Sequence, residues 1–536
     1  MKAKRKKNGS YYTPPFLASF VFNHIYKKIN VREISILEPS VGDGEFIRAL
    51  KTIKLQDNSK VSFTCVEKIK PEIDKAKLTA KSDKLKSIEF KFECADFLKW
   101  QDSKRIQYSL IIGNPPYIKK DLLNEVQVNS CRQIHNSANV PESAVKNIWS
   151  SFLIRCTQLL KPDGILALVL PAELLQAKFA VPLREFLKSN FERVETFTFS
   201  ELLFDSIGQD TIVLIGYKKS TTKGIYYSCI ESKEQLEKGH FTLKSNESLV
   251  KSDVKWTHHV LTSDEIEFLN KLKTQLNPIS SYCSSKPGIV TAANDFFIID
   301  SEIEAKYKLS SYAEPIIQKG LYVNGSVVFA KKDFNELCLR GLPTKVLRLD
   351  NKGQRSYSKK IQEYLREGIK VGIHKRYKSL QREFWFSIQN VSEPPAGFFF
   401  KRCHHYPKLL KNSAKVLVTD SAYEVTMKGD HLIEELIFSF YNSLSLCYAE
   451  MEGRYYGGGV LELTPKEFKR IPIPLSKISK KDFAKYTSFF ENKSSINDVL
   501  HKFDQDILGS SLQLSTSEIE KLQSIKGKLI SKRLRK

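Results

Sequence analysis

The run Ile111-Ile112-Gly113-Asn114-Pro115-Pro116-Tyr117 is an apolar stretch that stops at an amide, two prolines and an aromatic ring. Leu110 to Ile112 read as a short buried strand, and since proline cannot donate to a β-ladder, the chain must leave the sheet at Asn114. In open α/β sheets ligands bind at the carboxyl ends of the strands, so Asn114 falls on that rim. Asn114 brings a side-chain carbonyl, Pro115 a backbone carbonyl outside any helix, and Tyr117 a flat ring with a hydroxyl. Two neighbouring acceptors suit an –NH2 group. An ordinary turn uses the same residue types, so the chain around them decides.

Upstream, Ile34 to Leu37 read as a strand ending in Glu38-Pro39-Ser40-Val41-Gly42-Asp43-Gly44-Glu45-Phe46, where small residues let the backbone turn sharply beside a ligand. This is not Gly-x-Gly-x-x-Gly, which disfavours a nicotinamide cofactor. Val61 to Val66 give a second strand closing at Glu67, 23 residues past Gly44, where an acid accepts from ribose hydroxyls in nucleotide-binding α/β units. Lys84 to Phe92 read as a helix and a third strand closing at Asp96-Phe97, an acid able to accept from an adenine amine and a ring able to cover its face. Acid or amide side chains therefore stand at four successive strand ends, 38, 67, 96 and 114. Before them, Tyr12-Thr13-Pro14-Pro15 open a helix from Phe16 to Lys28, with Thr13 as its cap.

Downstream, Trp149 to Leu160 form an amphipathic helix, Pro162-Asp163-Gly164 a turn and Ile165 to Leu170 a fifth strand. Leu183 to Lys188 continue in helix, Thr211 to Tyr217 close a mostly parallel sheet, and Lys218 to Gly224 mark a domain exit. From about residue 250 the pieces are short and β-like. His374-Lys375-Arg376-Tyr377 and Phe398-Phe399-Phe400-Lys401-Arg402 fit a groove that tracks phosphates and contacts bases, and equally fit core strands with charged outer faces. Arg454-Tyr455-Tyr456-Gly457-Gly458-Gly459 fit a close approach of backbone to DNA or a flexible turn. Residues after about 480 read as helical.

At 536 residues the chain accommodates two or three domains, divided here as 1–245, 246–480 and a helical 481–536. With 85 Lys and Arg against 60 Asp and Glu, its net charge is +25, of which +11 lies in residues 1–220 and +14 in the remainder, and this favours a polyanionic partner. Nine scattered cysteines with no Cys-x-x-Cys pair argue against a disulfide framework and a zinc ribbon, and no metal is expected. Cys403-His404-His405 are consecutive and do not easily converge on one ion, so they read as packing or DNA-facing residues. No apolar run approaches the ~18 residues of a membrane span. The basic start, Lys2 and Lys4-Arg5-Lys6-Lys7, leads into Asn8-Gly9-Ser10 and is not a signal peptide, which places the chain in a reducing cytoplasm.

In this order, the motifs Tyr-Thr-Pro-Pro, Glu-Pro-Ser-x-Gly-x-Gly-x-Phe, Val-Glu, Asp-Phe, Asn-Pro-Pro-Tyr and Leu-Lys-Pro-x-Gly resemble those of γ-class amino-methylating DNA methyltransferases, the TaqI and PstI/BsuBI type of restriction-modification enzymes. The likeness spans roughly residues 11–219, with a weaker one from Arg454 to Leu463 to a target-recognition region. It implies an α/β fold: a Rossmann-like class I methyltransferase domain with a mostly parallel sheet, then a mixed α+β target-recognition domain. The implied cofactor is S-adenosyl-L-methionine, bordered by Tyr12, Thr13, Pro14, Glu38, Pro39, Ser40, Gly42, Gly44 and Lys68, with Glu67 at the ribose and Asp96 and Phe97 at the adenine. Asn114, also counted among the cofactor-binding residues, and Pro115 would hold the N6 amine of a flipped adenine, Pro116 completes the catalytic motif, Tyr117 would stack on the base, and Phe204 would stand at its outer edge. The implied partners are double-stranded DNA and a separately encoded restriction endonuclease. Asn-Pro-Pro-Tyr also resembles the motif of glutamine methyltransferases acting on release factors and of guanine methyltransferases acting on RNA. A non-catalytic DNA-binding specificity subunit is the reading from outside enzymology.

Overall fold

A computed structural model describes residues 12–26, 28, 32–53, 60–101, 106–199, 210–245, 255–323, 325–388, 393–456 and 458–534. The basic start and Phe204 lie outside the described residues. The chain forms two compact units, one built on residues up to Ile266 and the other on Glu267–Tyr455 with Gly459–Leu534.

The first unit is organised on a nine-stranded mixed sheet in the order β3-β2-β1-β4-β5-β7-β6-β8-β9. Its strands are β1 (Glu33–Glu38), β2 (Lys60–Glu67), β3 (Ile88–Cys94), β4 (Tyr108–Gly113), β5 (Leu160–Pro171), β6 (Arg193–Phe199), β7 (Thr211–Tyr217), β8 (Gly224–Ile230) and β9 (Lys244–Ser245). The strands β3, β2, β1, β4 and β5 run parallel. Every residue of β4 is buried. Ile111 faces one hydrophobic core, with α4 (Glu125–Ser137), α5 (Trp149–Gln158) and α6 (Val181–Asn190), while Leu110 and Ile112 face the other, with α1 (Pro15–Tyr26), α2 (Glu45–Leu50) and α3 (Lys70–Ala80). A strand covered on both faces reads as an unbroken apolar run, which is why β4 is so visible in the sequence.

Several local expectations are corrected. The second crossover helix is Lys70–Ala80 and not a segment near Lys84; it buries little beyond Ile73 and Ala76, so its apolar period is weak. Pro162-Asp163-Gly164 do not separate two elements but sit within β5, where the pairing slips from Tyr108–Leu160 to Leu110–Ile165. A Cβ at Gly164 would lie 3.0 Å from the Tyr108 carbonyl, so the slip requires glycine. β7 is antiparallel and inserted between β5 and β6, and the sheet continues past Gly224 into β8.

A buried charge cluster ties α1 to the far strands. Glu195 on β6 is fully buried and accepts from His24 Nε2 at 2.6 Å, Lys28 Nζ at 3.0 Å and Arg193 Nε at 2.7 Å. Burial alone would raise its carboxyl, but these partners hold it down at about 2.

In the second unit, a five-stranded sheet has the order Cys283–Pro287, Ala422–Met427, Gly397–Phe400, Lys408–Asn412, Val328–Phe329. Phe398, Phe399 and Phe400 are buried in its central strand, which decides that stretch in favour of a core strand. Among the described residues, no helix is long and apolar enough to cross a membrane.

Glu195→Gln is expected to destabilise the protein by about 3 kcal/mol at neutral pH, the equivalent of a carboxyl lowered from 4.5 to about 2. Because the folded-state value is depressed, this stability is present above about pH 4.5 and is lost as pH falls towards 2. Urea unfolding of both proteins across that range should show their difference shrinking on acidification.

Candidate functional site

The strand order changes direction between β1 and β4, since β2 follows β1 on one side and β4 lies on the other. Such a switch point opens a crevice at the carboxyl ends of the two strands. Glu38 ends β1 and Asn114 follows β4. A Cβ on Gly113 would meet Pro39 Cδ at 3.2 Å, so the two strand ends close tightly only because residue 113 has no side chain. Ser40 Oγ donates to the Asn114 carbonyl at 3.1 Å and ties the two exits together.

Glu38 is buried, and its Oε2 has no hydrogen-bond partner among the described residues. Burial, with Glu67, Asp43 and Glu45 adding like charge, raises its carboxyl well above the usual range. Downstream, Gly42 has φ +54° and Gly44 φ +91°, and a Cβ at Gly42 would stand in open space. The Gly42 N–H donates to Glu67 Oε2 at 3.1 Å and the Ile69 N–H to Glu67 Oε1 at 2.8 Å, so backbone amides orient that carboxylate. Gly44 precedes α2, whose Glu45 holds Arg48 at 2.7 Å.

At the end of β3, Asp96 accepts from Lys68 Nζ at 2.8 Å and from the Leu98 N–H at 3.1 Å. The Phe97 ring is buried, 5.0 Å from Phe152 and 6.1 Å from Trp100, with the Arg155 guanidinium 5.5 Å away. That ring serves the core rather than presenting an open face. Tyr12 donates its hydroxyl to Glu72 Oε2 at 3.0 Å, Thr13 is buried, and the Pro14 carbonyl accepts from Leu17 and Ala18 at the start of α1.

Pro115 is buried and Pro116 half-buried. Tyr117 is 8% exposed, and its hydroxyl donates to the Val169 carbonyl of β5 at 3.0 Å. Burial pushes its phenol well up, so it remains a neutral donor. The ring is thus wedged against the next strand. Among the described residues, no group of three or more His, Cys, Asp or Glu is placed to hold a metal ion.

Residues 25–204 match the family model of the Eco57I restriction-modification methylase, and residues 253–508 match that of the Type II methyltransferase M.Eco57I C-terminal domain. The Type II methyltransferase M.AccI of Acinetobacter calcoaceticus is 23% identical over 496 residues, covering 87% of this chain and 85% of that protein. This chain is related to the Type II restriction-modification methylases. Modification methylase CviBIII of Paramecium bursaria Chlorella virus NC1A is 25% identical over 292 residues, covering 52% of this chain and 69% of that relative. Among solved structures, the Type IIL restriction-modification enzyme MmeI in complex with DNA shares the fold with a TM-score of 0.57 at 14% identity, covering 99% of this chain and 80% of the other.

In this methylase-related chain, positions 38, 40, 42, 67 and 114 are linked through the β1 and β2 exits. The sequence reading did not single out Gly113 or Val169, the two residues that seat the motif. Gly113 was visible as a glycine ending an apolar run. Nothing local marks Val169, whose role is one backbone carbonyl.

Tyr117→Phe is expected to lower stability by roughly 1 kcal/mol through loss of the bond to Val169, whereas Tyr117→Ala should cost about 3–5 kcal/mol by opening the core. Thermal or urea unfolding measures both. Equal losses would mean the ring is not packed as described.

Proposed function

We propose that this chain is a DNA methyltransferase that transfers a methyl group from S-adenosyl-L-methionine to the N6 amine of a flipped adenine in duplex DNA, as the modification enzyme of a restriction-modification system. In this reading residues 1–245 are a Rossmann-like class I catalytic domain, 246–480 the target-recognition domain and 481–536 a helical segment. The observation that carries it is one rim holding Asn114-Pro115 next to the buried Glu38 carboxylate, whose second oxygen still lacks a donor. Kinship with Type II methylases supports DNA as substrate.

The residues fit the cofactor. When bound, S-adenosyl-L-methionine supplies an electrophilic methyl on a sulfonium and carries an ammonium group. Glu38 offers its unpaired oxygen to a cationic donor, and a positive ligand relieves the crowding of Glu38, Glu67, Asp43 and Glu45 that raises the Glu38 carboxyl. The open space at Gly42 lets a ligand lie against backbone, and Glu67, fixed by two amides, accepts from hydroxyls. Asp96, held by Lys68, would accept from the adenine of the cofactor.

At the target, the Asn114 side-chain carbonyl and the Pro115 carbonyl accept from the two amine hydrogens and hold the nitrogen lone pair toward the methyl. Tyr117, fixed by Val169, limits how the base sits; Phe204, outside the described residues, is assigned its outer edge. Extruding a base costs a few kcal/mol, offset by these hydrogen bonds. Positioning supplies much of the acceleration. Duplex DNA is the partner, and a separately encoded endonuclease would complete the system in a bacterial cytoplasm.

Asn114→Ala is expected to reduce methyl transfer at least about a hundredfold while duplex binding survives, since it removes one acceptor at the reacting amine. The check is mass spectrometry of nucleosides from duplex DNA incubated with the protein and labelled donor. N6-methyladenine supports the assignment. Methylated cytosine would overturn it, as would label appearing only in RNA or in protein glutamine.

A further inference from the structure

Within the second unit, a cavity of about 640 Å³ opens beside the helices Ile496–Asp504 and Thr516–Leu534. Lys493 and Lys526 line it with Tyr406 and Leu500, and His405 and His501 stand at its exposed edge. The volume lies within the range of small-molecule sites.

Its charge balance is unusual. Lys526 is buried, and its ammonium donates to a neutral acceptor, Asn497 Oδ1. Lys493 donates to the carbonyls of Gly325 at 2.7 Å and Phe490 at 2.9 Å, also neutral. Neither lysine forms an ion pair among the described residues. The nearby carboxylates attract the two ammonium groups without contacting them, their oxygens being turned to other donors: Asp498 accepts from the Ser494 and Ser495 amides at 2.8 Å each. Asp504 accepts from the Ser443 amide at 2.9 Å, the Ser443 hydroxyl at 2.6 Å and Gln523 Nε2 at 3.0 Å. Burial and the neighbouring Lys408 push the Lys493 ammonium down to about 8, and burial also lowers Lys526. Taking ammonium groups out of water without a carboxylate in direct contact is costly, and Asp498 and Asp504 attract them only from a distance, so the cavity favours an anion that touches both.

The donor set selects which anion. Planar carboxylates are matched by the two-pronged guanidinium, and among the described residues no arginine lines this cavity. Lysines act as point charges that surround a tetrahedral group from separate elements.

We propose that this cavity binds a phosphate group through Lys493 and Lys526. The chemistry is the same whether the phosphate belongs to a free nucleotide or to a nucleic-acid backbone. The proposal stands apart from the methyl-transfer reading and survives its failure.

The test is calorimetric titration of the full-length protein with inorganic phosphate, AMP and a short DNA duplex, with chloride at matched ionic strength as the control. Wild type should show saturable binding of inorganic phosphate that chloride does not reproduce. Lys493→Gln should weaken that binding about tenfold or more, as expected for loss of a charged hydrogen bond. Lys526→Gln should do the same, with circular dichroism confirming that each variant folds. AMP binding tighter than phosphate and sensitive to both variants identifies a nucleotide site. Duplex binding that weakens in both variants while AMP gains nothing over phosphate identifies a backbone contact. Absence of saturable phosphate binding, or binding unchanged in folded Lys493→Gln, overturns the proposal.

Discussion

The site rests on the closure between β1 and β4. These strands are distant in sequence but adjacent and parallel in the sheet, paired through Ile36–Leu110 and Leu37–Ile111. Beyond that pairing the two strands diverge, and at their exits a Cβ on residue 113 would press on Pro39 Cδ at 3.2 Å. Gly113 lets Pro39 approach, Ser40 then reaches the Asn114 carbonyl, and Glu38 and the amide motif become neighbours. A Cβ at 113 would push Pro39 outward by a few tenths of an ångström and loosen this closure. Tyr117 completes the closure by anchoring the segment to β5.

A second theme is how the fold treats buried charge. Glu195 and Glu38 are both buried carboxylates on strands of one sheet, with opposite outcomes. Glu195 is surrounded by His24, Lys28 and Arg193, so it stays ionised far below the ordinary range and serves as a structural tie. Glu38 faces other acids and keeps one oxygen unpaired. A paired charge consolidates the fold, whereas an unpaired one stores a preference for a complementary ligand. Lys493 and Lys526 are likewise lowered by burial, but each has an acid nearby and neutral acceptors in contact.

Much of the parallel half of the first sheet was legible, because strands covered on both faces leave unbroken apolar runs that end in polar residues. Elements lacking that signature were not. α3 is largely polar, and β6 and β8 alternate weakly at the sheet's far side. The triple phenylalanine at 398–400 was ambiguous, since an aromatic run beside basic residues looks the same in a core strand and a nucleic-acid groove until burial is known. The rings of Phe97 and Tyr117 illustrate the same limit: sequence marks an aromatic at a strand end, but whether its face is open depends on helices far along the chain.

By itself, the sequence determined the order of strand, turn and acid along residues 34–117, because hydrophobic run length, proline's missing donor and glycine's backbone freedom are local properties. Tertiary structure alone decided which ends meet. The neighbours of β4, the antiparallel insertion of β7, the link from Ser40 to Asn114 and the bond from Tyr117 to Val169 all depend on contacts between distant segments. The physical reason is that burial and hydrogen-bond pairing are properties of the packed whole, and they convert a row of polar strand ends into a site.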